Sequence, residues 1–399
     1  MARTAESVAV IGAGIAGLAT ATGLADAGIP VRVYEQAEAL GEVGAGVSLA
    51  PNSLRVLDSF GLTDRLSEIE SREPLRMAFY NHEGVRSEDS EVDARGARPI
   101  HRADLIDMLS WRLEPDALRL GARLVGVDEN GDGLVLRFAD GSTETAAAVI
   151  GADGIHSAVR PFVVDAPDPV FSGMIAYRGL VPAERLPDWP IHEAQLYTGP
   201  GRHFISFPVR RAKLLNFVAF VAADDEMRES WSAPGDPAEL AKEFAGWNES
   251  VRGLIDRIDK TFRWGLYDRE PLPTWVRGRV ALAGDAAHAM LPHVGQGGNQ
   301  SIEDAAALVE VLRDRPLTEV ATAFQEYDRA RRERASYIQR FSRRLGLQYD
   351  GRHAEFSTTD QLAGREDVMR WIFGHDSALT ARQVRAGGPS VSLPTGAAI

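Results

Sequence analysis

The sequence contains no cysteine at all. Disulfides, thiolate nucleophiles, iron–sulfur clusters and a thioether link to a cofactor are therefore excluded, and the chain suits a reducing compartment. No stretch approaches the roughly 18 to 20 consecutive apolar residues that a membrane helix requires, and Met1 to Ser7 lacks the basic region of a secretion signal. An excess of positive charge is missing too: 44 lysines and arginines stand against 57 aspartates and glutamates, for a formal net charge of −13. That balance gives no basis for a nucleic-acid or anionic-membrane partner. The expectation is a cytoplasmic protein, monomer or homodimer, whose partners are small molecules. Its 399 residues, 44% hydrophobic, can build one large domain or two ordinary ones.

What the chain has in quantity is glycine, and its placement carries information. Ser7 to Ile11 is a β-branched run short enough for a buried strand. It breaks into Gly12-Ala13-Gly14-Ile15-Ala16-Gly17, a helical pattern follows through Ala27, Gly28 closes it, and Val31 to Tyr34 is a second strand ending at Glu35 and Gln36. Gly12 permits the tight turn, Gly14 lets the backbone approach a pyrophosphate, and Gly17 lets the helix pack on the strand. The helix start at Ile15 and Ala16 offers free N–H groups to phosphate. Glu35 lies 18 residues past Gly17, where a carboxylate accepts hydrogen bonds from a ribose diol and repels a 2′-phosphate. This unit specifies a dinucleotide and does not separate FAD from NAD.

Further along, Val43 to Pro51 reads as a loop or turn before a helix at Asn52 to Phe60. A helix opens at His101, and Arg102 in its first turn opposes the macrodipole, so it pairs with Asp104 or Asp107 or serves another partner. Leu134 to Ala139 and Glu144 to Ile150 read as a hairpin, ending in a second glycine turn, Gly151 to Arg160, with Asp153 inside it. From about Pro167 to Phe262 strands alternate, among them Ala194 to Thr198, His203 to Pro208 and Leu214 to Ala222. They predict a sheet-based second lobe, with Tyr177, Phe204, Phe207, Phe217 and Phe220 as core or pocket lining. Arg279 to Ala283 returns to the buried-strand pattern, followed by Gly284-Asp285 and by Gly295, Gly297 and Gly298 ahead of a helix at Ser301 to Leu312, a second backbone cradle. Thr318 to Gln348 is a long amphipathic helix whose many arginines, interspersed with acids, read as a solvated face. Asp376 to Ile399 has no apolar period and is expected to be loosely ordered. His288 and His293, five apart with a proline between, are not spaced as metal ligands, and no metal is expected.

Three blocks occur together and in order: GAGIAG with Glu35, GADGIHSAVR at Gly151 to Arg160, and GDAAHAMLPHVGQGGNQSIEDA at Gly284 to Ala305. Together they resemble the single-component (class A) flavoprotein aromatic hydroxylases of the para-hydroxybenzoate hydroxylase fold. The branch of salicylate hydroxylase, 3-hydroxybenzoate 6-hydroxylase and 6-hydroxynicotinate 3-monooxygenase is the most similar in look, over roughly residues 7 to 345. The resemblance implies an α/β protein in which a Rossmann-type FAD-binding domain (1–72, 101–166, 268–315) interleaves with a smaller sheet-based substrate domain (73–100, 167–267), followed by a long C-terminal helix within a helical region (316–375) and the tail (376–399).

It also implies roles. Glu35 would hold the adenosine ribose, Arg102 the diphosphate or ribityl chain, and Asp285 the ribityl hydroxyls. Asp153 would sit where flavin and nicotinamide phosphates approach, and Gly297 and Gly298 would present N–H groups to the isoalloxazine edge. Pro292 would lie beside the flavin face where oxygen reacts. FAD would be non-covalent, with NADH or NADPH as a transient co-substrate, in keeping with the lack of a second Rossmann unit. Reduced flavin would take up O2, and the resulting hydroperoxide would pass one oxygen to a small aromatic substrate such as a phenolic acid. His203 occupies the position where relatives carry a general base; the plain alternative is a satisfied strand histidine. Relatives often have tyrosine where this chain has Phe207, and a histidine or glutamine where it has Ser48. Other outcomes on the same fold stay open: an epoxidase or tailoring oxygenase of a polycyclic substrate, or a non-catalytic flavin module. The WxWxIP segment of flavin halogenases is absent.

Overall fold

The computed structural model describes residues 6–41, 46–70, 76–87, 92–93, 96–131, 133–223, 233–349 and 358–394. Val8–Ile11, buried at every position, pairs in parallel with Val31–Tyr34 on one side and Ala148–Gly151 on the other. Val280–Leu282 and Leu118–Arg119 extend the parallel sheet outward, and Val276–Arg277 adds an antiparallel edge. Uninterrupted β-branched runs are what a parallel sheet covered on both faces requires. Helices Ile15–Asp26 and Gly297–Leu312 pack on each other beside it, and together they enclose the largest apolar core.

Between these strands the chain twice leaves for a second, eight-stranded sheet, which gives the expected interleaving. In it Val170–Pro182 lies between Thr261–Asp268 and Leu214–Ala222, and Arg202–Val209, Glu193–Gly199 and Arg76–Asn81 follow in order. Side chains alternate between two faces with period 2. Tyr177, Phe204 and Phe217 point to one face, where helices Pro237–Glu243 and Glu249–Ile255 cover them. Phe207 and Phe220 point to the other face, toward a cavity. The aromatics that sequence left undivided between core and pocket are thus sorted by strand parity.

Several elements differ from expectation. The hairpin's second strand is two: Thr143–Ala146 pairs back on Gly133–Phe138, whereas Ala148–Gly151 joins the parallel sheet. Gly46–Leu49, read as part of a loop, is a strand against Arg98–His101; residues 42–45 lie outside the described residues. The helix expected from Ser301 begins at Gly297. The tail, expected to be loosely ordered, carries helix Ser377–Arg385, capped by the Asp376 carboxylate accepting from the Leu379 amide at 2.9 Å. Ala381 and Val384 join the main core, and Arg382 pairs with Glu310. Two small apolar residues among polar ones made that face too narrow to read as periodic.

The largest correction concerns the long helix, Val320–Tyr349. Arg329 and Arg340 are exposed as expected, but Arg331 and Arg334 are completely buried. Arg331 donates to Glu303 at 2.5 Å and to Asp304 at 2.9 Å, and Arg334 donates to both Glu303 oxygens at 2.9 and 3.0 Å. Asn52 adds a 2.6 Å hydrogen bond to Glu303. Burial alone would raise the Glu303 carboxyl, but Arg334 and Arg331 outweigh it and hold that carboxyl well below the ordinary carboxylate range. A carboxyl depressed on folding stabilises the native state above its unfolded pKa and loses that contribution as pH falls through its folded pKa. Stability should therefore fall as pH drops below about 4.3, the unfolded glutamate value. Glu303→Gln leaves two buried guanidinium groups undercompensated and should cost about 3–5 kcal/mol in denaturant unfolding at pH 7.

Candidate active site

The first glycine turn is shaped by contact as much as by ligand. Gly12 has φ +99°, and a Cβ there would stand 2.4 Å from the Ala152 carbonyl oxygen, because the two glycine turns at the ends of neighbouring strands touch. A Cβ on Gly17 would stand 1.9 Å from the Gly12 carbonyl oxygen. Gly14 differs: nothing lies within 4 Å of the Cβ it lacks, so its bare backbone faces open space. Beside it, Glu35 accepts from the Ala13 amide at 2.7 Å and from the Ala37 amide at 2.8 Å, and Gln36 is exposed.

From this turn a cavity of about 1180 Å³ runs to the cavity face of the eight-stranded sheet. It brings together Gly14, Ile15, Ala16, Arg102, Asp285, Pro292, Gly297, Gly298 and His203 from the predicted set. Gly12, Gly17, Glu35, Gln36 and Asp153 do not line it. Asp153 turns inward: its carboxylate accepts from the Ser157 hydroxyl at 2.6 Å and from the amides of Ala158 and Val159 at 2.7 and 3.2 Å. Burial raises that carboxyl despite these bonds. It is committed to holding the turn, and the adjacent Gly154 and Ile155 line the cavity in its place. Asp104, one candidate partner for Arg102, is held instead by Arg210 at 2.6 and 3.0 Å.

The third block closes on the first. Gly284 has φ +60°, and a Cβ there would meet the Ala16 Cβ at 2.7 Å. Its amide donates to Asp304 at 2.9 Å, and the same oxygen faces His288 Nε2 at 2.6 Å. His288 is thus consumed by a buried carboxylate, and among the described residues no cluster of metal-binding side chains exists. The buried Asp304 carboxylate therefore fixes the turn that carries Asp285.

At the far end, cross-strand pairing sets the wall: Phe220 lies opposite His203, and Thr198 flanks it on the other side. The His203 ring stacks on Phe220 at 4.1 Å and stands 5.2 Å from the ring of His293, which follows Pro292 on a single 3₁₀ turn. Tyr349, at the end of the long helix, completes the group 5.5 Å from His203. Burial, with the nearby His203, pushes the His293 imidazole well below its ordinary range. Asn299 binds both sides of the cavity, donating to the carbonyls of Ser48 at 2.9 Å and Gly295 at 2.7 Å. Phe207 packs where a Cβ on Gly46 would be, 2.4 Å away.

Sequence reasoning missed Arg178, Trp264, Tyr349, Met369 and Phe373, all cavity lining. Arg178 and Trp264 sit on the paired strands Val170–Pro182 and Thr261–Asp268, with the guanidinium 4.7 Å over the indole, and strand parity was the available signal. The other three come from C-terminal helices whose approach no local pattern records.

A parallel sheet with touching glycine turns, opening into one cavity whose distal wall is a separate aromatic-lined sheet, defines a two-lobed dinucleotide-binding oxidoreductase. The FAD binding domain family profile matches residues 5–342, and the chain belongs to that family of flavoprotein monooxygenases. It is 40% identical to 3-amino-4-hydroxybenzoate 2-monooxygenase of Streptomyces platensis, covering 93% of this chain and 96% of the relative. It is 35% identical to salicylate hydroxylase of Pseudomonas putida, covering 95% and 94%. A salicylate hydroxylase substrate complex superposes with a TM-score of 0.84 at 34% identity, covering 98% of this chain and all of that one. No helix among the described residues is long and apolar enough to cross a membrane.

The open space at Gly14 and the closed contacts at Gly17 separate two kinds of glycine. Gly14→Ala should fold normally yet weaken FAD retention by at least about tenfold (~1.4 kcal/mol), measured by flavin absorbance after gel filtration. Gly17→Ala should fail to fold.

Proposed function

We propose that the protein uses NADH or NADPH and O2 to hydroxylate a small phenolic acid, one oxygen atom entering the ring and the other leaving as water. The observation that supports this reading is that one cavity brings the backbone expected to contact FAD, at Gly14 to Ala16, Gly297 and Gly298, together with His203 and Pro292, beside Phe220. Bound FAD would supply the redox chemistry, taking electrons from the nicotinamide and activating oxygen for transfer.

The residues would divide the remaining work. Free amides at the start of helix Ile15–Asp26, with the dipole behind them, favour the diphosphate, and Arg102, which lines the same cavity, would add a positive charge. Glu35, at the end of the strand next to the turn, would accept hydrogen bonds from the adenosine ribose. Asp285 would accept from the ribityl hydroxyls, and the amides of Gly297 and Gly298 would meet the ring edge. Phe220 stacks on the His203 ring, and His203 would share or take up the phenolic proton. Removing or sharing the phenolic proton raises electron density on the ring and helps it accept oxygen. The apolar wall excludes water, which favours transfer to substrate over loss of oxygen as peroxide. Asp153 would keep the second turn in place instead of touching a phosphate. The acidic charge and lack of cysteine support a cytoplasmic enzyme with small-molecule partners.

In stopped-flow experiments a phenolic acid such as salicylate should accelerate flavin reduction by NAD(P)H, and label from 18O2 should enter the product. If no aromatic ligand does either, the reading is wrong and a non-catalytic flavin module takes its place. His203→Ala should bind FAD normally and lower coupled hydroxylation roughly a hundred- to ten-thousand-fold, with peroxide release rising; full coupled turnover in this variant would remove the proposed base.

A further inference from the structure

Glycine in the interior of a helix costs about 1 kcal/mol relative to alanine, so its presence there calls for a local reason. Gly346 is buried within Val320–Tyr349. A Cβ at this position would stand 2.4 Å from both Cδ2 and Nε2 of His293, far inside contact distance. Two further residues on the same face of the helix hold the segment on which His293 rides. Gln339 donates to the Ala289 carbonyl at 2.7 Å and to the Arg269 carbonyl at 2.6 Å. The Ser342 hydroxyl donates to the Leu291 carbonyl at 2.5 Å and accepts from the Val294 amide at 3.3 Å, so it grips the 3₁₀ turn Pro292–Val294 at both ends. Positions 339, 342 and 346 follow the i, i+3, i+7 spacing of one helical stripe.

We propose that Gly346 is a positioning residue that determines specificity. Gln339 and Ser342 fix the Ala289–Val294 segment to the long helix, and the missing side chain at 346 sets how far the His293 ring stands from His203 and Phe220. At 5.2 Å to His203 and 5.5 Å to Phe220 between ring centroids, the three rings are in contact, so the placement of His293 shapes the aromatic end of the cavity. A methyl group at 346 would displace the imidazole from this ring cluster and reshape the place where a substrate ring would lie. The statement about substrate rests on the function proposed above; the statement about the ring does not.

A double-mutant cycle tests the contact on the FAD-loaded enzyme. Gly346→Ala should lower Tm when His293 is present and raise it in a His293→Ala background, where the methyl has room and alanine's helix propensity is all that remains. Gly253→Ala serves as the control, because its added Cβ would meet only the end of the Arg257 side chain at 3.4 Å. Binding is read from the flavin absorbance change on adding salicylate or 3-amino-4-hydroxybenzoate. Gly346→Ala should weaken the Kd of whichever acid binds by at least about tenfold, while FAD stays bound. Tm shifts of one sign in both backgrounds, or an unchanged Kd, would overturn the proposal. If neither acid binds the parent enzyme, the substrate reading fails, and the Tm cycle still decides whether Gly346 places His293.

Discussion

Two neighbouring carboxylates, Glu303 and Asp304, are buried without any exposure in the helix whose first residues are Gly297 and Gly298. A pair of adjacent acids in the interior is tolerable only because guanidinium groups and hydrogen-bond donors surround it. Arg331 bridges the two, Arg334 and Asn52 complete Glu303, and His288 with the Gly284 amide completes Asp304. The partners come from three parts of the chain: Asn52 from the helix after strand Gly46–Leu49, Arg331 and Arg334 from the long C-terminal helix, and Gly284 and His288 from the third glycine turn. The cluster therefore sets the relative positions of the Gly297 amides, the Asp285 turn and the long helix at once. The cavity edges follow from it, since the same long helix then carries Ser342 and Gly346 against the turn of Pro292 and His293.

A second constraint is the close approach of backbones around the glycine turns. Gly12 against Ala152, Gly17 against Gly12, and Gly284 against Ala16 leave no space for side chains. Within the first turn, Gly14 opens outward. The motif thus joins two requirements, packing at its ends and ligand access in its middle, and only the middle one faces the cavity.

The local parts of this architecture were legible in the sequence. Strand, glycine turn, helix and acid lie within the first thirty-six residues, and each leaves its mark on its own neighbours: β-branched runs, positive-φ glycine, a carboxylate at a strand end. The second sheet was legible through alternation, although alternation alone did not tell Phe204 from Phe207 until strand pairing fixed the faces. What sequence concealed were contacts between elements that each look polar. Arg331 and Arg334 lie among exposed arginines, and Glu303 and Asp304 resemble an ordinary acidic helix surface; their mutual burial depends on two helices meeting. The same holds for His293, whose packing against Gly346 joins a turn to a helix far along the chain. Asp153 adds a further contact of this kind: its carboxylate accepts from the Ser157 hydroxyl and the Ala158 and Val159 amides of its own loop, a placement its position after a strand does not record.

The order of strands in the parallel sheet has a consequence for how the protein comes into being on the ribosome. Val8–Ile11 lies in the middle of that sheet, but the strand beyond Ala148–Gly151 is Val280–Leu282, and the charges that lock the sheet's helix are not synthesised until Arg331 and Arg334 emerge. The parallel sheet therefore stays open-edged while the second lobe's strands from Val170 to Asp268 are made. Such topologies fold slowly and expose unpaired edges to aggregation. The second lobe, whose strands from Val170 to Asp268 are nearly contiguous, can assemble most of its sheet first and act as the surface on which the nucleotide lobe is completed.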